Sequence, residues 1–122
     1  MPPQISFEVF PPRTPEGQLR LQETLERLTP LQPSFVSVTC GAGGSGSDET
    51  FKVLEQLTAR GTAPAAGHLT CVGRSRAEVD TEIMRYWNAG VRHIVALRGD
   101  VPGWEGPVEA HPGGYASSIE LV

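Results

Sequence analysis

The chain has 122 residues, 39% of them hydrophobic and 20% charged, an ordinary globular composition with length for one small domain. Its net charge of −4 comes from dispersed acids, and no run of Lys and Arg forms a stripe that could neutralise phosphates, so nucleic acid is not an expected partner. No segment approaches the roughly 20 consecutive apolar residues of a membrane span, and Met1-Pro2-Pro3-Gln4 lacks the charged and apolar regions of a signal peptide, so a cytoplasmic location is expected.

Ile5 to Phe10 mixes β-branched and aromatic residues and stops at Pro11-Pro12, where missing amide donors end a ladder; this predicts a first strand. Thr14-Pro15 supplies an N-cap with proline at the first helical position. Leu21, Leu25 and Leu28 follow at helical spacing, predicting a helix that runs to about Thr29, before Pro30. Phe35 to Thr39 is a short apolar run bounded by Pro33 and Gly41, the pattern of a strand covered on both faces. A glycine-rich loop from Gly41 to Gly46 leads to Ser47 or Asp48 as cap of a second helix, with Phe51, Leu54 and Leu57 on one face and Gly61 closing it. Ala65 to Cys71 reads as a third strand. Ser75 and Glu78 have capping-box spacing for a third helix, in which Val79, Ile83, Tyr86 and Trp87 form one stripe of helix-to-barrel packing, ended by Gly90. His93 to Leu97 is a fourth strand. Val101 to Gly114 holds three prolines and four glycines, so it is expected as an exposed loop before a fourth helix begins near Tyr115-Ala116-Ser117-Ser118.

The strands recur at steps of about thirty residues, and each ends in a residue suited to chemistry: Glu8, Thr39, His68-Leu69-Thr70 and Arg98-Gly99-Asp100. A parallel barrel brings the carboxyl ends of its strands to one face, so these residues would converge on one site. The expected fold class is therefore α/β, a partial (β/α)8 TIM barrel of about four βα units, since a full barrel needs roughly 250 residues. Residues 1–122 are expected to form the N-terminal half of such a barrel with no second domain. Four strands would carry two raw edges and an uncovered inner face, which invites aggregation, partial disorder or self-association, a homo-oligomer among the outcomes.

Individual residues carry more than one reading. Glu8, flanked by Phe7 and Val9, is expected to lose hydration, which favours a protonated carboxyl and a general-acid role; a surface glutamate on an alternating strand is the plain alternative. Arg98-Gly99-Asp100 taken alone could be a polar turn, and His68 at a strand end a structural histidine. The Gly41–Gly46 run lacks both the P-loop lysine and the dinucleotide register, so its glycines read as close backbone approach or positive φ. Cys40, Cys71 and His68 make a poor zinc site without paired C-x-x-C spacing or a fourth ligand, so no metal is expected. The two cysteines fit a reducing compartment.

Taken together and in order, Ser6-Phe7-Glu8-Val9-Phe10-Pro11-Pro12, Ser37-Val38-Thr39-Cys40-Gly41-Ala42-Gly43-Gly44-Ser45, His68-Leu69-Thr70-Cys71, Ala96-Leu97-Arg98-Gly99-Asp100 and Tyr115-Ala116 closely resemble the N-terminal half of bacterial methylenetetrahydrofolate reductase. The resemblance implies a flavoprotein (β/α)8 barrel that holds FAD at the carboxyl ends of its strands. It further implies ping-pong reduction of 5,10-methylenetetrahydrofolate to 5-methyltetrahydrofolate by NAD(P)H, for methionine synthesis. It implies Glu8 as the acid that protonates the departing ring nitrogen of the folate. Asp100 would lie beside flavin and folate, binding the pterin and acting on the flavin through its charge. Thr39, His68, Arg98, Gly99 and Ala116 would be flavin contacts. The chain departs from the family at Gly46-Ser47-Asp48, where a threonine-arginine pair is common. Nothing in the residues selects NADH over NADPH. The alternative class is a non-catalytic half-barrel, an association module or pseudoenzyme subunit, which would not need a chemical residue at every tip. Another flavin-dependent or aldolase-like barrel would explain the spacing but not the ordered motifs.

Overall fold

Four parallel strands lie side by side in chain order: β1 (Phe7–Val9), β2 (Val36–Val38), β3 (Ala65–Thr70) and β4 (His93–Leu97). Helices α1 (Pro15–Leu28), α2 (Ser47–Arg60) and α3 (Arg76–Asn88) connect them, and α4 (Ser118–Leu121) follows β4. The computed structural model describes residues 2–41, 46–101 and 103–122. A doubly wound sheet reverses its strand order at a switch point, whereas here every strand is added beside its predecessor, the winding of a (β/α)8 barrel. The fold is therefore α/β, a partial βα barrel as expected. The Ala42–Ser45 part of the glycine-rich loop lies outside the described residues.

The core sits between sheet and helices. Val9, Val36 and Val38 of the strands meet Leu21 and Leu25 of α1, Val53, Leu54 and Leu57 of α2, and Tyr86 of α3. Successive side chains of a strand point to opposite faces. Glu8 and Ser37, which alternate with these valines, therefore face the inner side of the sheet. In β3 the backbone of Gly67 approaches Tyr86 and Leu54 on the helix side, so Ala66 and His68 face inward with Glu8 and Ser37.

Local chemistry explains the helix boundaries. The Thr14 hydroxyl accepts from the Gly17 amide at 3.0 Å, with Pro15 in the first turn of α1. Pro30 ends α1, but the chain tightens into a 3-10 turn over Thr29–Leu31 rather than stopping. For α2 the expected Ser47 or Asp48 cap is not used. The N-cap is Gly46, with no side-chain hydrogen bond, and Ser47 already lies inside the helix. Asp48 instead pairs with Arg85 of α3 at 2.9 Å. The α3 stripe is also corrected. Val79 and Tyr86 are buried, but Trp87 is 53% exposed and Glu82 takes the inward position. Trp87 follows Tyr86 by one helical step of ~100° and so turns outward, where the Arg92 guanidinium covers its ring at 3.7 Å. The fourth helix starts at Ser118, within the expected stretch, capped by Ser117.

The Ser75–Glu78 capping box is complete: the Ser75 hydroxyl accepts from the Glu78 amide at 3.2 Å, and the Glu78 carboxylate accepts from the Ser75 amide at 2.7 Å. That second bond holds the Glu78 carboxyl below its ordinary range. Ser75→Ala is expected to lower stability by about 1 kcal/mol at neutral pH, read from urea midpoints. Because Glu78 titrates lower folded than unfolded, its contribution is present above the ordinary carboxylate range. It is lost as pH falls through the lowered value, so Glu78→Gln should reduce the acid sensitivity of the wild-type midpoint.

Candidate functional site

The register places Glu8, Ser37, Ala66 and His93 in one row across the sheet. His68 stands one pleat further toward the carboxyl end of β3, on the same face. β1 and β3 are separated by β2, two strand spacings or roughly 9.5 Å. The residues between them, Ser37 and Ala66, are small, so the Glu8 carboxylate reaches over them and its Oε1 lies 3.0 Å from His68 Nε2. The carboxylate oxygen is off the line of the ring N–H, and Nε2 is enclosed with no aligned hydrogen-bond partner among the described residues. The His68 side chain is 11% exposed, whereas that of Glu8 is 51% exposed. The expected loss of hydration at Glu8 therefore does not hold for the described residues. Its carboxylate lies on the face opposite the buried valines, beside the His68 imidazole.

Thr39 continues from β2 at the same end of the sheet. Its amide donates to the Val9 carbonyl at 3.1 Å, and its own carbonyl accepts from the Thr50 hydroxyl of α2 at 2.8 Å. Thr39 and His68 both line a cavity of about 1080 Å³, with Phe10, Cys40 and Thr50 among its walls. The β4 tip is docked on the end of β3: the Arg98 carbonyl accepts from the amides of Cys71 at 3.2 Å and Val72 at 2.8 Å. Gly99 then turns at φ 84°, and a Cβ there would lie 2.8 Å from Thr70 Cβ. Only glycine fits this turn, which carries the exposed Asp100 beyond the sheet. Ala116 is fixed separately, its amide donating to the Glu120 carboxylate at 3.0 Å. Arg76 in turn pairs with Glu120 and lies over the Tyr115 ring at 4.8 Å.

The structure thus brings Glu8, Thr39 and His68 together and sets Arg98, Gly99 and Asp100 on the next strand end. Ala116 belongs to the α3–α4 side. Burial pushes the thiols of Cys40 and Cys71 up, so both stay protonated near neutral pH and are poor nucleophiles or metal ligands. Among the described residues no group of three or more His, Cys, Asp or Glu side chains is placed to share a metal ion. Sequence reasoning missed Ser37 and Ala66, whose smallness opens the path between Glu8 and His68. Only the strand register could have revealed them.

The family model described as methylenetetrahydrofolate reductase matches residues 2–122. A 5,10-methylenetetrahydrofolate reductase of Salmonella typhimurium is 47% identical over 118 residues, covering 97% of this chain and 40% of the relative. Its namesake in Escherichia coli is 44% identical over 115 residues, 94% of this chain and 38% of the relative. The Zea mays protein named methylenetetrahydrofolate reductase (NADH) 1 is 34% identical over 118 residues, 97% of this chain and 20% of that protein. The chain therefore spans about 40% of the length of the bacterial relatives. With the βα winding, the inward glutamate and a match over nearly every residue, the chain belongs to the methylenetetrahydrofolate reductase family.

Proposed function

We propose that the protein takes part in the reduction of 5,10-methylenetetrahydrofolate to 5-methyltetrahydrofolate by NAD(P)H with bound FAD, a cytoplasmic step of one-carbon metabolism that serves methionine synthesis. Residues 1–122 then supply the N-terminal half of the catalytic barrel. The carrying observation is the Glu8 carboxylate on the inner face, 3.0 Å from His68. An association module has no use for a half-exposed acid reaching across a sheet to an imidazole.

The residues present fit a flavin. His68 offers an enclosed ring nitrogen with no aligned partner, Thr39 lines the same cavity, and Gly99 lets the backbone of the β4 tip lie close to β3. Thr39, His68, Arg98, Gly99, Asp100 and Ala116 would hold the group. When bound, FAD supplies a two-electron carrier between nicotinamide and folate. Glu8 would be the proton donor to the folate. The five-membered ring of the folate opens to a reactive iminium once its departing nitrogen is protonated, and a carboxyl on the inner face can deliver that proton. Asp100, carried past the sheet edge, would accept hydrogen bonds from the pterin.

The test is the visible spectrum of the purified full-length protein, followed anaerobically. Bound flavin that NADH or NADPH bleaches and 5,10-methylenetetrahydrofolate restores is the expected result. A colourless protein that FAD does not colour would overturn the reading. Thr39→Ala and His68→Ala should each weaken FAD binding by roughly fivefold, the worth of one hydrogen bond to the ligand, measured by titration of the apoprotein.

A further inference from the structure

We infer that Tyr86 is a positioning residue for the Glu8–His68 pair, acting from behind the sheet through the backbone of β3. The inference rests on the reductase reading for what the pair does, and on geometry alone for how it is held.

Tyr86 belongs to α3 in the helix layer and is 1% exposed. Its hydroxyl donates to the main-chain carbonyl of His68 at 3.1 Å. Its ring occupies the space that a side chain at Gly67 would need: a Cβ there would lie 2.7 Å from Cε2 and 2.9 Å from Cδ2. One side chain therefore holds two successive residues of β3, the first by contact and the second by a hydrogen bond. β2 pairs with β3 only as far as Val38 opposite Gly67. At the next residue, where the β2 ladder ends, the Tyr86 phenol begins.

His68 projects its imidazole from that backbone to the opposite face, so the height and tilt of residue 68 set how far Nε2 reaches toward Glu8. β4 holds residue 68 on its other side, opposite Val95, and a separation of 3.0 Å leaves no slack for drift on the side where β2 has ended. A phenylalanine would fill the same volume. The hydroxyl adds only the bond to His68, and burying it would be costly without that bond. Burial also pushes the Tyr86 phenol up, so it stays a donor.

The test uses Tyr86→Phe in the full-length protein, which keeps the ring and therefore the fold. Turnover of folate is expected to fall about tenfold with KM for folate unchanged, the result of a small misplacement at the chemistry. The ring 15N resonances of His68 should move, and His68→Asn should cost less in the Tyr86→Phe background than in wild type. Val79→Ala is the control, a core truncation of α3 in the separate cluster around Leu69 and Cys71. It should lower stability and leave the His68 resonances and turnover in place. If Tyr86→Phe leaves the resonances and turnover unchanged, or if Val79→Ala moves the resonances equally, the positioning role is overturned. A wild-type protein that reduces no folate, but whose His68 resonances still move with Tyr86→Phe alone, overturns the reductase reading and keeps the positioning.

Discussion

Glu8→Gln is expected to leave the reduction of bound flavin by NAD(P)H intact and to slow the transfer to folate about a thousandfold, within the span that a positioned general acid contributes. On the proposed reductase function the two half-reactions separate, because only the second needs a proton delivered to a leaving nitrogen. Glutamine keeps the shape and the reach over Ser37 and Ala66 but cannot give up a proton. The substitution is structurally mild. The Glu8 side chain is 51% exposed, and a neutral isostere at such a position changes stability by no more than about 0.5 kcal/mol. The loss is thus expected in rate and not in folded protein, and stopped-flow absorbance with each substrate alone measures it. Equal slowing of both half-reactions would mean that Glu8 supports flavin binding instead. Unchanged folate transfer would move the acid elsewhere on the strand tips, to Asp100 first.

The local signals were legible where one residue and its neighbours within a turn decide the outcome. The Thr14-Pro15 start of α1, the Ser75–Glu78 box, the Gly61 stop and the span of β4 all follow from caps and runs within a few residues. The winding was legible too, because apolar runs at a constant step with helices between them admit few topologies. Features that need a neighbouring element were not. Asp48 lies inside α2 and pairs with Arg85 of α3, a contact between residues far apart in sequence. Trp87 reads as core by its spacing from Val79 and Ile83, but the helical phase is set by Tyr86, which packs on the sheet. The site divides in the same way. The tip residues Glu8, Thr39, His68 and Arg98-Gly99-Asp100 are visible as chemistry at strand ends. The Glu8–His68 contact is not, because it depends on register and on the small side chains of Ser37 and Ala66. The hydration of Glu8 is hidden from the sequence for a related reason: Val9 is buried on the helix side, and alternation sends Glu8 to the other.

Gly67→Ala should destabilise the protein by about 3 kcal/mol, the upper part of the range for overpacking a filled core. The sign is the informative part. Gly67 has no positive φ, so alanine suits its strand backbone and would otherwise stabilise by about 0.4–1 kcal/mol through the unfolded chain. The collision reverses this. The added methyl would meet Tyr86 Cε2 at 2.7 Å and Leu54 Cδ1 at 3.1 Å, and those residues are 1% and 0% exposed, with no space to retreat into. Tyr86 is further tethered by its bond to the His68 carbonyl. Tyr86→Leu alone should cost a similar amount, about 3 kcal/mol, from lost ring contacts and an unpaired carbonyl. In the Tyr86→Leu background the alanine methyl has room, so the two changes should cost about 2 kcal/mol less together than their sum. Urea midpoints of the four proteins measure the cycle. Additive costs would mean that the methyl is resisted by Leu54 or the strand itself, and that Tyr86 does not set the depth of β3 at the residue before His68.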